Sequence, residues 1–138
     1  MIGTLLFVVC TLGGFMYKKL EDLEVYQLSE VLSDKIWSIC TEWEYFAKIT
    51  VGKQLVQSAD SISANISEGH GRYSMKENMQ FCYYARGSFE ETRNWLRRAN
   101  KRKLLMSDDM IEIGNIMDKL GPKLNGYINS IKRYLKTS

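Results

Sequence analysis

Apolar residues recur along this chain at steps of three and four, the spacing that lines one face of an α-helix. Four stretches carry the pattern. From about Val25 to Tyr45 the stripe is Val25, Leu28, Leu32, Ile36, Ile39 and Trp43. From about Thr50 to Ser67 it is Val51, Leu55, Ala59, Ile62 and Ile66. From about Ser74 to Lys103 it is Phe81, Cys82, Ala85, Phe89, Leu96 and Ala99. From about Asp108 to Leu135 it is Met110, Ile113, Met117, Leu120, Leu124, Ile128, Ile131 and Leu135. No stretch alternates with period two between hairpin turns, so no strand is predicted.

The punctuation agrees with these limits. Gly69-His70-Gly71 separates the second stretch from the third. Ser74 followed by Glu77 is a capping-box pattern. Ser107 before Asp108 and Asp109 is the start that a helix dipole favours. Arg98, Lys101, Arg102 and Lys103 close the third stretch, where cations are favoured. Gly121-Pro122 interrupts the fourth, yet the apolar repeat stays in phase on both sides. One helix kinked near Pro122 is therefore expected, not two. Short connections between four such helices predict an all-α, antiparallel up-down-up-down bundle. The 69–73 loop, the start of the first helix and the end of the fourth would share one end.

Residues 1–15, MIGTLLFVVCTLGGF, do not fit this pattern. The apolar run is shorter than the ~20 residues a spanning helix needs. Lys18 and Lys19 follow it, whereas a secretory signal is basic at its start. The extension reads as a misassigned start, with the bundle occupying 16–138; the rival reading is a membrane or partner contact.

Composition narrows the chemistry. With 138 residues, one proline and ten scattered glycines, the chain fits one domain and no low-complexity class. Cys10, Cys40 and Cys82 are odd in number and form no CxxC pair, as expected of reduced thiols in a cytoplasmic protein. His70 is the single histidine. A triad, a zinc site or a di-iron bundle with Glu-x-x-His pairs has no recognisable donors. The expectation is a protein with no catalytic residue, no metal, no cofactor and no small-molecule substrate.

Charge adds the sharpest signal. The net charge is only +3, but it is segregated. Between residues 86 and 103, Arg86, Arg93, Arg97, Arg98, Lys101, Arg102 and Lys103 face only Glu90 and Glu91. Residues 18–47 hold three lysines against seven acids. Helical spacing sets Arg86, Arg93, Arg97 and Lys101 in a row able to track a phosphate backbone, with Tyr83, Tyr84 and Trp95 available for stacking. Arg98, Arg102 and Arg72 complete the candidate nucleic-acid-binding set. The bland alternative is a solvated face that pairs with the acidic first helix.

Asn65, Glu68, Gly69, His70 and Gly71 form a small, polar helix-turn motif. Gly69 offers a left-handed helix stop and Gly71 a second bend. This reads as tight packing at a terminus, or as a ligand or RNA contact made by His70 and Arg72. Gly87, in mid-helix, costs about 1 kcal/mol relative to alanine; close packing, within the bundle or across subunits, is the expected reason. Trp37, Trp43, Tyr45 and Phe46 are mostly expected in the core, with Trp37 and Tyr26 off the stripe as candidates for a subunit interface. Lys132, Arg133 and Lys136 join Lys18, Lys19, Arg72 and Lys76 as a candidate basic cap.

The stretches EDLEVYQLSEVLSDKIW, SADSISANISEGHGR, KENMQFCYYARGSFEETRNWL and GPKLNGYINSIK resemble, in order, a bacterial four-helix bundle family first described as proteins encoded in intervening sequences of 23S rRNA genes. The resemblance covers about residues 19–135 and excludes the first fifteen. It implies a bundle that assembles into a ring, commonly a homopentamer, with a basic surface that contacts nucleic acid and no known enzymatic activity. The accessory variability protein of retroelements is more distantly similar. The expected function is thus a nonenzymatic oligomer that binds structured RNA through the basic helix face. The alternative is a protein-interaction scaffold or accessory subunit for a nucleic-acid enzyme such as a reverse transcriptase.

Overall fold

The computed structural model describes residues 18–138; the expectations for residues 1–15 and Cys10 fall outside them. After a short 3₁₀ turn, Leu20–Asp22, come four long helices. We label them α1, Glu24–Cys40; α2, Lys53–His70; α3, Met75–Lys101; and α4, Ser107–Thr137. No strand occurs among the described residues.

The predicted stripes form the core. Leu32 and Ile36 of α1, Leu55, Ile62 and Ile66 of α2, Cys82 and Phe89 of α3, and Ile113, Leu120, Leu124, Ile128 and Ile131 of α4 are buried in one cluster. Burying a side chain of this size stabilises the fold by about 1.5–3 kcal/mol. Each helix packs on its neighbours in the ring α1–α2–α3–α4–α1, so α1 and α3 stand across the bundle from one another. Contacts run in opposite senses along neighbouring helices. Glu24 meets Lys123 while Lys35 meets Asp109 and Glu112. Gly69 lies against Asn78 while the hydroxyls of Ser58 and Thr92 meet at 3.1 Å. Asn78 donates to Tyr127 while Phe89 faces Gly121.

Helix ends depart from the sequence reading in three places. First, α1 stops at Cys40 rather than Tyr45. Its last turns carry no glycine or proline, and Trp43 continues the apolar phase from a turn, packing partly buried against the core. Tyr45 instead opens a helical turn, Tyr45–Ala47, that leads into a π-helical turn, Lys48–Gly52, and then α2. Gly52 permits this close course, because a Cβ there would stand 3.2 Å from the Ala47 carbonyl oxygen and 3.4 Å from the Trp43 ring. Second, α2 runs through Gly69 to His70, and Gly71 caps it in right-handed geometry, φ −80° and ψ −4°. No left-handed stop is used; the backbone N–H groups of Gly71 and Arg72 donate to the Ser67 and Gly69 carbonyls, each at 3.1 Å. The left-handed residue is Lys103, φ 61°, which ends α3. There Leu104 N–H donates to Ala99 and Lys103 N–H to Asn100, both at 3.0 Å, the two bonds of a Schellman motif. Third, α4 begins at Ser107, one residue before the expected Asp108.

Two expectations at helix level hold. Ser74 caps α3, its Oγ accepting from the Glu77 N–H at 3.1 Å and donating to the Glu77 carboxylate. α4 is one helix with Pro122 inside it.

Candidate nucleic-acid interface

The core positions of α3 fix where its cations point. With 3.6 residues per turn, a core stripe of Cys82, Ala85, Phe89 and Leu96 puts Arg86, Arg93 and Arg97 on the flank toward α4. Lys101 continues that line. Arg98 and Arg102 fall outside it, toward the α2 side. The predicted row of four is therefore one stripe, and the other two cations are not part of it.

On the α4 flank, Arg86, Phe89, Glu90 and Arg93 line a cleft of about 190 Å³ with Gly121, Pro122 and Asn125 of α4. Gly121 keeps α4 close, since a Cβ there would reach the Phe89 ring at 3.3 Å. The guanidinium of Arg86 lies 5.2 Å from the Tyr83 ring centroid, and that of Arg93 lies 5.1 Å from the Phe89 centroid. Lys132 reaches the same Tyr83 from α4, at 5.8 Å. Arg93 has one ion pair, to Glu90 at 3.7 Å, and both side chains are exposed; such a pair is weak. Among the described residues no ion pair engages Arg86, Arg97, Arg98, Lys101 or Arg102. Stacking on a ring uses the face of a guanidinium and leaves its N–H edge free for a phosphate.

The acidic first helix does not neutralise this face. Its partners are on α4: Lys35 pairs with Asp109 at 3.2 Å and Glu112 at 2.7 Å, and Glu24 pairs with Lys123. The Lys123 ammonium, by hydrogen bond first and charge second, holds the Glu24 carboxyl below the usual carboxylate range. The hydrogen bonds that the Lys35 ammonium donates to Glu112 and Asp109 raise its pKa in turn.

The other sequence candidates separate from the row. Arg72 is held by Glu68 at 2.7 Å and lies 4.7 Å over the Phe81 ring, on the α2 flank of α3. Asn65 donates to the Ser61 carbonyl at 2.8 Å. The His70 Nε2 bonds the Lys18 carbonyl at 2.8 Å and ties the start of the described chain to the end of α2. Gly69 is the close-packed glycine: a Cβ would stand 2.7 Å from Asn78 Oδ1, 2.8 Å from Phe81 Cβ and 3.0 Å from the Asn78 carbonyl oxygen. The helix-turn motif is thus occupied with its own packing. Gly87 is the reverse. It is exposed, and nothing lies within 4 Å of where its Cβ would be, so the expected close packing within the bundle is absent. Tyr84 stacks edge-on against Phe81 at 5.5 Å, away from the row, and Trp95 bonds Glu91 at 3.4 Å. Of the predicted stacking residues only Tyr83 meets the row, through the Arg86 guanidinium. Tyr45 and Phe46, expected mostly in the core, are each 77% exposed. Asn125 was not singled out in the sequence; its place one turn after Gly121 on the α3 side of α4 is the signal that marks it.

Burial pushes the Cys40 thiol up to about 11 and the Cys82 thiol to about 12. Neither is a thiolate nucleophile near neutral pH. Among the described residues no group of three or more His, Cys, Asp or Glu side chains could hold a metal ion. No described helix is long and apolar enough to cross a membrane.

The model of the 23S rRNA-intervening sequence proteins matches residues 21–126, most of the chain, including the arginine row and the Gly121–Asn125 stretch of α4. The chain belongs to that family. A solved structure from the S23 ribosomal protein family, a protein of unknown function from Bacteroides thetaiotaomicron, superimposes with a TM-score of 0.67. It is 20% identical, and the match covers 75% of this chain and 97% of that one. At that identity the likeness concerns the fold. No curated protein matches the chain.

Proposed function

We propose that this family member is a nonenzymatic, cytoplasmic, oligomeric bundle that binds structured RNA along the α3 flank bordering α4. The observation that carries the reading is the state of the arginine row. Arg86, Arg93 and Arg97 share one flank, and the first two are steadied by aromatic rings rather than neutralised by strong ion pairs. Such a face keeps both its charge and its N–H donors for phosphates, and it reads backbone and shape rather than base edges. Arg98, Arg102 and Arg72 would act as flanking charge only.

A second reading has its own support. Between α1 and α4 runs a groove of about 870 Å³ bordered by Leu28, Val31, Pro122, Gly126 and Tyr127. A groove that combines these residues with the charged Glu24, Asp118, Lys119 and Lys123 suits an amphipathic helix of another chain, either a further copy in a ring such as the homopentamer or an enzyme for which this protein is an accessory subunit.

The test is binding of a labelled RNA stem-loop at low salt by the wild type and by Arg93→Glu/Arg97→Glu, with helicity and oligomeric state measured on the same samples. The expected result is a loss of roughly tenfold or more in affinity with the fold retained. Equal binding by the variant, or none by the wild type, refutes the reading and moves attention to the α1–α4 groove.

A further inference from the structure

At the opposite side of the bundle from the arginine row, the junction of α1 and α2 holds features that the row does not use. A cleft of about 280 Å³ opens there, lined by Trp37, Thr41, Lys48, Lys53 and Gln57, with Cys40 and Gly52 at its floor. Trp37 is 59% exposed. No carboxylate lines the cleft, and among the described residues neither lysine has an ion pair. The Gln57 side-chain amide makes no hydrogen bond among the described residues.

The π-helical turn explains why the two lysines line one cleft. Lys48 and Lys53 are five residues apart, a separation that an α-helix splays around its circumference. A turn bonded from i to i+5 is wider and brings residues five apart onto one side. Local widenings of this kind are frequent at functional sites. Tyr45 and Phe46 of the preceding helical turn and Ile49 of the π-helical turn, all exposed, flank Lys48 along the chain.

We propose that this cleft receives one unpaired nucleotide of a single-stranded RNA segment, its base stacked on Trp37 and its flanking phosphates held by Lys48 and Lys53. The inference rests on the reading of the partner as RNA but uses a different site. An exposed aromatic beside cations is the arrangement that binds single strands, with each stacked base contributing independently of sequence. The volume sits at the small end of ligand sites, enough for one base and too small for a helix. Unpaired lysines argue against a protein partner, since lysine is depleted in protein interfaces.

The experiment compares a single-stranded oligouridylate and a blunt RNA hairpin, each titrated with wild type, Trp37→Ala, Trp37→Phe, Lys48→Glu/Lys53→Glu and Arg93→Glu/Arg97→Glu. These side chains are exposed, so folding is not at stake. The expected result is that Trp37→Ala weakens the single strand by at least roughly fivefold, that Trp37→Phe keeps most of the affinity, and that the lysine reversal also weakens it. Hairpin binding should respond only to the arginine reversal. Unchanged single-strand affinity in Trp37→Ala and in the lysine reversal overturns the proposal, and if the hairpin still depends on Arg93 and Arg97 the arginine-row reading stands without it. Trp37-dependent binding of phosphatidylcholine–phosphatidylserine vesicles with no oligouridylate binding also overturns it. Absence of binding to either RNA by the wild type overturns both readings.

Discussion

A methyl group distinguishes the two glycines that bear most on this fold. At Gly69 it would collide with Asn78 and Phe81 of α3, including a backbone oxygen at 3.0 Å that cannot swing away. Gly69→Ala should therefore separate α2 from α3 and destabilise the protein by about 1–3 kcal/mol, the usual cost of overpacking. At Gly87 the same methyl meets nothing within 4 Å. Gly87→Ala should raise stability by about 0.5–1 kcal/mol, because alanine loses less backbone freedom on entering a helix. Thermal melts of the two variants check both signs. A lower melting temperature for Gly87→Ala would show that another copy covers this face. The sequence offers a way to tell these glycines apart. Gly87 lies on the side of its helix away from Cys82, Ala85 and Phe89, and that phase contradicts a packing role. Gly69 lies three residues after Ile66 and shares its buried face. Composition alone marks both as small; only the helical phase says which one has a neighbour.

At the level of elements, the apolar stripes were legible because each helix buries one face and pays no attention to what joins it. The predicted stripe residues are buried or packed against the core with few exceptions. The junction of α1 and α2 was not legible. Its course depends on Trp43 packing from a turn and on Gly52 lying beneath that ring, contacts that no periodicity encodes. The same gap hid Tyr45 and Phe46, whose aromatic character suggests burial while their turn exposes them. Pro122 is a clearer case. The repeat of Leu120, Leu124 and Ile128 stays in phase across it, and α4 is continuous. Pro122 has no N–H to offer the turn before it, and proline in a helix interior costs about 3 kcal/mol relative to alanine. Since Pro122 is exposed, Pro122→Ala should stabilise the protein by about 1–3 kcal/mol, read as a higher midpoint in denaturant at an unchanged slope. A lower midpoint would mean that the proline ring, which borders the clefts on both sides of α4, supplies packing worth more than the missing hydrogen bond.

Across the whole molecule, the arrangement of helices turns a modest net charge of +3 into a polar distribution. Residues 18–47, in and around α1, hold seven acids against three lysines, α3 carries Arg86, Arg93, Arg97 and Arg98, and α1 and α3 stand across the bundle from each other. Of the acids on α1 only Glu24 pairs, with Lys123 of α4, while α1's own Lys35 is taken by Asp109 and Glu112 of α4. This separation could be counted in the sequence, but its meaning could not. Had α1 lain beside α3, the same charges would have formed a closed network. The topology decides that the row on α3 meets solvent instead, and it also decides which cations form the row. Arg86, Arg93, Arg97 and Lys101 share a flank, while Arg98 and Arg102 turn toward α2 and Arg72 is held by Glu68. The most direct test of this account is the salt dependence of binding to a duplex RNA stem. If four cations neutralise phosphates, the logarithm of the binding constant should fall with the logarithm of salt at a slope of roughly −3 to −4. Arg97→Gln should reduce that slope by about one, while Arg98→Gln should leave it nearly unchanged. A flat salt dependence, or a slope that Arg97→Gln does not alter, would contradict the arginine row as the RNA-binding face.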